Sequence, residues 1–202
     1  MKISILLPYK ENFSPEYPGA VSLFVNETTK ISKYKKIITV FGNTDFKSKF
    51  DIKYVNINLK KNIFSSQTKN YVQQFSNLEK KKKSTIIEVH NRPIYINILN
   101  KTLKERVYTL FFHNDPLTMN GSKTPNERLN LLDNLDKIIF VSKWVQNRFF
   151  EGLDQKLLNK TEVVYPSIHR KKKKNFNKNK KIPFFGKLNF SKGYDIYRDS
   201  II

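Results

Sequence analysis

Seven short apolar runs, separated for the most part by stretches long enough for an amphipathic helix, constrain this chain more than any other feature. They are Ile3–Leu7, Ile37–Phe41, Tyr54–Ile57, Ile86–Val89, Val107–Phe112, Ile138–Val141 and Val163–Tyr165. Each is brief, rich in β-branched or aromatic residues and bounded by polar or turn residues, which is the pattern of a strand. Several, including IIEVH, TLFFH and KIIFVS, are apolar on both faces. Strands of that kind lie in parallel sheets covered by helices. Between them, Ala20 to Ser32 aligns Val21, Phe24, Val25 and Thr28, and Ser65 to Lys81 aligns Tyr71, Val72, Phe75 and Leu78. Thr124, Pro125 and Glu127 form a capping-box sequence opening a helix to Leu135, and Ser142 precedes another that carries Val145, Phe149 and Phe150. Strand–helix alternation predicts an α/β protein, a Rossmann-like doubly wound parallel sheet.

The alternation also divides the chain. Residues 1–165 are expected to form one Rossmann-like domain. Residues 166–181, PSIHRKKKKNFNKNKK, offer almost nothing to bury and read as a basic linker. In 182–202 a fresh strand, Ile182–Phe185, leads through Gly186 and a lysine-bearing loop to a helix start near Tyr194. One strand and one helix start do not fold alone. This segment is expected to be the first strand and helix start of a truncated second Rossmann-like domain.

Composition removes several classes of function. There is no cysteine, so disulfides and thiolate metal sites are excluded. No apolar run approaches the roughly 18 residues of a membrane span. The opening MKISILLPYKE lacks a secretory apolar core and cleavage site, so a cytoplasmic protein is expected. The formal charge of +21 suggests nucleic acid or an anionic membrane surface. However, only six of the 38 basic residues are arginines, the residue that supplies bidentate base and phosphate contacts. Much of the lysine travels with Asn, Ile and Phe and reads as compositional background, and no nucleic-acid partner is expected. A basic surface would still draw the protein toward anionic lipid headgroups, at about 1 kcal/mol per well-placed cation.

Ligands of open α/β sheets collect at the carboxyl ends of the strands. Four segments fall there. The loop PYKENFSPEYPGA closes with Gly19 just before a helix, where a ligand phosphate can approach backbone amides at the positive helix end. EVHNRP brings His90, Asn91 and Arg92 to the end of one strand, and FFHNDP brings His113, Asn114 and Asp115 to the end of the next. Two of the three histidines thus stand at equivalent strand ends, with Asp115 available to orient an imidazole. No recognised metal spacing is present, so no metal site is expected. In FFGKLNFSKGYD, Gly186 and Lys187 follow a strand and Lys192 stands before a helix, making an anion cradle suited to a diphosphate.

This last run resembles the opening of the donor domain in family 4 glycosyltransferases of the GT-B type. There, a strand ending in Gly is followed by Arg or Lys, a short loop and then Lys-Gly. The resemblance extends through the first half, to Gly19 in the first loop, to His113 and to Val141-Ser142. It implies a GT-B N-terminal domain and a nucleotide-diphosphate sugar as substrate, with no cofactor and usually no essential metal. It further implies retaining hexosyl transfer to a glycan or lipid-linked acceptor of cell-envelope polysaccharide or lipopolysaccharide assembly. Such an enzyme would work in the cytoplasm or peripherally on the inner face of the membrane. Under it, Gly186, Lys187, Lys192 and Gly19 would bind the donor diphosphate and His113 would contact the sugar as the catalytic residue. His90, Asn91, Arg92, Asn114 and Asp115 would line the acceptor side. The family's Glu-x7-Glu pair belongs to a part of the second domain not contained in these 202 residues, so the chain by itself is expected to be inactive. The alternative from another class is a non-catalytic carbohydrate- or nucleotide-binding half-domain.

Overall fold

All seven expected strands form, at slightly shifted ends, and they pair side by side in a single sheet. The computed structural model describes residues 1–59, 66–166, 184, 188, 190 and 193–200. Within it β1 (Ile3–Leu6), β2 (Ile38–Gly42), β3 (Tyr54–Asn56), β4 (Ile86–His90), β5 (Val107–Phe112), β6 (Lys137–Phe140) and β7 (Thr161–Val163) lie in the order β3-β2-β1-β4-β5-β6-β7. Every neighbouring pair is parallel. The order reverses beside β1, so the carboxyl ends of β1, β4 and β5 define the crevice where ligands of such sheets bind.

Alternate side chains send two cores to opposite faces. Leu6, Phe41, Val89, Leu110, Phe112, Ile138 and Phe140 meet the apolar stripes of α2 (Gln67–Lys82), α3 (Ile94–Thr102), α4 (Pro125–Asn134) and α5 (Lys143–Phe150). Ile5, Leu7, Ile38 and Val40 meet Val21 and Val25 of α1 (Ala20–Ile31) on the other face. Fully buried side chains of this size each contribute about 1.5–3 kcal/mol, so the two cores hold the sheet between its helices.

Local signals set most helix ends. The Thr124 side chain accepts from Glu127 N while the Glu127 carboxylate accepts from Thr124 N, completing the expected capping box. Ser142 caps α5 by accepting from Val145 N, and Ser66 caps α2 by accepting from Lys69 N, each without the reciprocal bond. α3 was not expected from sequence. It spans only nine residues and opens on Pro93 without a side-chain cap, so neither a long periodic stripe nor a capping residue marks it in the sequence.

Two further differences concern side-chain direction, and a third the end of a strand. On α1 the buried stripe is Val21, Ser22, Val25, Asn26 and Thr29, while Phe24 is half-buried beside that core and meets His113 edge-on. On α2 the expected Leu78 is 37% exposed, and Glu79 is buried in its place. Its carboxylate accepts from Ser4 Oγ at 2.6 Å and from Ser84 N at 2.5 Å, which satisfies a charge that would otherwise be costly to bury. The last strand ends at Val163, two residues before the expected Tyr165, and Val164 and Tyr165 are exposed.

The chain separates into two units, Met1–Ile168 and His169–Ile202. In the second, α6 (Tyr194–Ser200) begins at the expected residue. The Phe184 ring packs at 5.4 Å from Tyr194 and 5.2 Å from Tyr197. The expected strand Ile182–Phe185 lies outside the described residues, Phe184 excepted.

Candidate functional site

The register between β4 and β5 sets His90 beside Phe111, and two residues further on the chain reaches His113. Both rings stand on the α1 face. His90 Nδ1 lies 2.8 Å from His113 Nε2, and His90 Nε2 lies 2.7 Å from Glu88 Oε1. An ionised carboxylate only accepts, so His90 Nε2–H donates to Glu88. In a neutral His90 the other nitrogen then accepts, and His113 Nε2–H donates to it. The remaining lone pair, on His113 Nδ1, has no protein partner among the described residues. The three side chains form a line that orients one imidazole acceptor at the crevice.

Packing fixes the line. His90 is fully buried, stacked on Phe111 at 4.7 Å, and the Phe24 ring meets His113 edge-on at 4.9 Å. Burial, reinforced by the neighbouring His90, lowers the His113 pKa from 6.5 to about 3, so the ring is neutral at physiological pH. Asn91 occupies the turn from β4 into α3 and ties it to the end of β5. It takes a left-handed φ of 52°, a region Asn enters more readily than most residues, and its Oδ1 accepts from His113 N at 2.8 Å. At its inner end the line meets solvent, because Glu88 lines a cavity of about 250 Å³ together with Phe24, Thr28, Thr29 and Phe111.

The residues expected on the acceptor side therefore divide. Arg92 and Asn114 are exposed at the edge, with Arg92 Nη1 donating to Asn91 O at 2.7 Å. His90 and Asn91 are buried and contact His113, so neither side chain stands on the open surface expected of them. Asp115 does not orient an imidazole. It accepts from Leu117 N at 3.0 Å, capping the short turn Pro116–Thr118, and pairs with Arg148 of α5 at 3.2 Å. The orienting carboxylate is Glu88, which sequence reasoning passed over as part of an apolar run. The available signal was its spacing of two from His90, which places both on one face of a strand.

Gly19 caps α1, but its seat is taken. Glu11 Oε1 accepts from Ser22 N at 2.9 Å, so a carboxylate already sits at the positive helix end. A Cβ on Gly19 would come within 2.0 Å of that oxygen. The backbone at Gly19 is extended, φ −78° and ψ 163°, which alanine tolerates. Gly19→Ala is thus expected to cost about 1 kcal/mol by displacing Glu11 and losing the cap. In a Glu11→Ala background the same substitution is expected to cost almost nothing. A urea-unfolding double-mutant cycle measures the difference, and additive effects would show that the contact is not made. The loop is anchored further by Tyr9 N, which donates to Tyr95 Oη at 3.1 Å, and by Tyr71 Oη, which donates to Leu7 O at 2.9 Å.

Gly186, Lys187 and Lys192 lie outside the described residues. Among the described residues no group of three or more His, Asp or Glu side chains is arranged to hold a metal ion, and no helix is long and apolar enough to cross a membrane.

The fold defines the class: a Rossmann-like α/β domain of the kind that makes up half of a GT-B protein. Comparison with solved structures gives the same class. HepE from Anabaena, solved with UDP-glucose, matches with a TM-score of 0.55 at 14% identity over 83% of this chain and 44% of its own. The lipopolysaccharide outer core galactosyltransferase WaaB matches at 0.54 and 17%, over 82% of this chain and 45% of its own. A glycosyltransferase from Rickettsia africae matches at 0.53 and 18%, over 81% and 42%. The chain spans less than half the length of each of these structures. No family model matches it, and no curated protein matches it in sequence.

Proposed function

We propose that this chain is the acceptor-side half of a nucleotide-sugar-dependent glycosyltransferase of the family 4 type. It would transfer a hexosyl unit, with retention, to a cell-envelope polysaccharide or lipopolysaccharide acceptor. The observation that carries the reading is His113, a neutral imidazole held by His90 and Glu88 at the carboxyl edge of a parallel sheet. A fixed acceptor lone pair at that place suits a sugar hydroxyl, whose O–H donates to it. Solved structures with the same half-fold hold UDP-glucose, UDP, or UDP and glucose, which supports a nucleotide-sugar donor here.

In this mechanism the departing nucleoside diphosphate gains negative charge as the glycosidic bond breaks. Lys187 and Lys192, with the backbone at Gly186, would stabilise it, since cations preorganised around a leaving group lower the barrier more than they tighten ground-state binding. His113 would hold the sugar ring in register for transfer. Peripheral contact with an anionic membrane would keep the basic protein near a lipid-linked acceptor.

The test is calorimetric titration of the full-length gene product with UDP-glucose and UDP, beside a transfer assay. Donor binding with turnover is expected, with transfer falling at least about 100-fold in His113→Ala while UDP still binds. Binding without turnover would favour the non-catalytic half-domain. Failure to bind nucleoside-diphosphate sugars would sink both.

A further inference from the structure

At the opposite edge of the sheet from His113, a second concavity gathers positive charge. Lys2 precedes β1, Lys36 and Ile37 lead into β2, Lys53 precedes β3, and Lys82 ends α2. With Thr39 and Val55 these residues line a cleft of about 310 Å³. That falls at the small end of the range for ligand sites, about 300–1,000 Å³. We propose that this cleft binds a phosphate-bearing ligand, with Lys82 at its floor and Lys36 and Lys53 at its rim.

Lysine is abundant in the chain, so the lysine-only lining carries little by itself. The position of Lys82 carries more. A solvated lysine keeps its ammonium group in water, whereas Lys82 Nζ is shielded from solvent, has no hydrogen-bond partner among the described residues and lies 5.0 Å from the centre of the Phe41 ring. The nearest carboxylate, Glu79, raises its proton affinity, but its oxygens already accept from Ser4 Oγ and Ser84 N. Burial, with Lys53 and Lys2 adding to it, brings the Lys82 pKa down to about 8. A buried ammonium group without a hydrogen-bond acceptor is costly, and an anion entering the cleft would supply one.

The helix end explains part of the cluster. Cations favour helix C-termini, and Lys2 Nζ donates to Lys82 O at 3.2 Å, serving as a cap. Lys36 and Lys53 belong to other elements and have no such role. They converge on the cleft because β2 and β3 are parallel neighbours whose preceding residues arrive at the same edge. Among the described residues no carboxylate lines the cleft. Compact ammonium charges with rotatable donors suit a phosphate approached from several sides, where a guanidinium fork would impose one plane. The ligand phosphate has two sources in chemistry, a soluble phosphate ester or a phospholipid headgroup.

The experiment compares the full-length protein with Lys36→Ala/Lys53→Ala, both exposed positions whose loss leaves the core intact. Thermal unfolding is followed with inorganic pyrophosphate against sodium chloride at matched ionic strength. Pyrophosphate at 100 times its dissociation constant stabilises by about 2.7 kcal/mol, a rise on the order of 5–10 °C for a unit of this size. The rise is expected in the parent and mostly lost in the double variant, while affinity for UDP-glucose is unchanged between them. Co-sedimentation with phosphatidylglycerol or phosphatidylcholine vesicles distinguishes the sources. Binding of the anionic vesicles, competed by pyrophosphate and lost in the variant, assigns a headgroup, and a pyrophosphate response without vesicle binding assigns a soluble ester. An equal rise in parent and variant, or no rise beyond the chloride control, overturns the proposal.

Discussion

Replacing His90 by Phe is expected to lower sugar transfer by the full-length protein about 100-fold, and Glu88→Gln about 10-fold. Neither residue is expected to touch the substrate. His90 is fully buried, and Glu88 lies behind it. Both act by holding His113 in one orientation and one tautomer, and partners of this kind typically cost 10–100-fold when removed from a metal-bound histidine. Phe at position 90 keeps the stack on Phe111 but removes the acceptor for His113 Nε2–H. Gln at position 88 can turn an N–H toward His90 and so no longer dictates which nitrogen carries the proton. Both losses are expected mainly in kcat, with UDP affinity retained. A His90→Phe protein that transfers sugar at the parent rate would remove the relay from the mechanism.

The same geometry sets a pH dependence. The His113 pKa is about 3 in the folded protein against 6.5 for a free imidazole, so the folded state takes up its proton only in strong acid. Between those values the unfolded chain binds a proton that the folded chain refuses, and stability falls as pH drops through that window. The slope for one such group is about 1.4 kcal/mol per pH unit. Transfer is correspondingly expected to show no inflection near pH 6.5 from this ring. His113→Phe should flatten the stability profile below pH 6.5, which urea titrations at pH 7 and pH 5 would detect.

Arg128→Met is expected to destabilise the first unit by about 2–4 kcal/mol, the largest stability effect of any single substitution considered for this chain. Arg128 is among the largest side chains that are almost wholly buried. Its Nη1 donates to Ser122 O at 3.2 Å and Lys123 O at 2.9 Å, and its Nη2 to Glu151 O at 2.5 Å. One side chain thus joins the segment before α4 to the residue that ends α5. Met keeps the apolar stem but is shorter and donates nothing, leaving three carbonyls without this partner, and unmet buried polar groups cost about 1–3 kcal/mol each before relaxation. For a unit the size of Met1–Ile168 this corresponds to a melting temperature lower by on the order of 5–15 °C. Arg128→Lys restores one donor group and should fall between. A loss below about 0.5 kcal/mol for Arg128→Met would show that water replaces the guanidinium at no cost.

Periodicity carried the fold because it is a local property. Parallel strands buried on both faces need apolar residues at every position, and helices between them need an apolar stripe, so β1 to β7 and α1, α2, α4 and α5 could be read from neighbouring residues. The caps at Thr124 and Ser142 were legible for the same reason, since a cap and its partner lie three residues apart. Sequence also placed His90 and His113 at adjacent strand ends. It could not show that the two rings touch, because a parallel register brings residues 23 positions apart to 2.8 Å only once the sheet has formed. Glu88 was hidden inside an apolar run, and Asp115 looked like its replacement until the packing of α5 claimed it for Arg148. The Glu11 carboxylate over Gly19 and the lysines around Lys82 are likewise products of tertiary packing. Spacing along a chain fixes which face a residue takes. Which distant residue meets it there is decided by strand order and helix docking, and only the folded sheet contains that information.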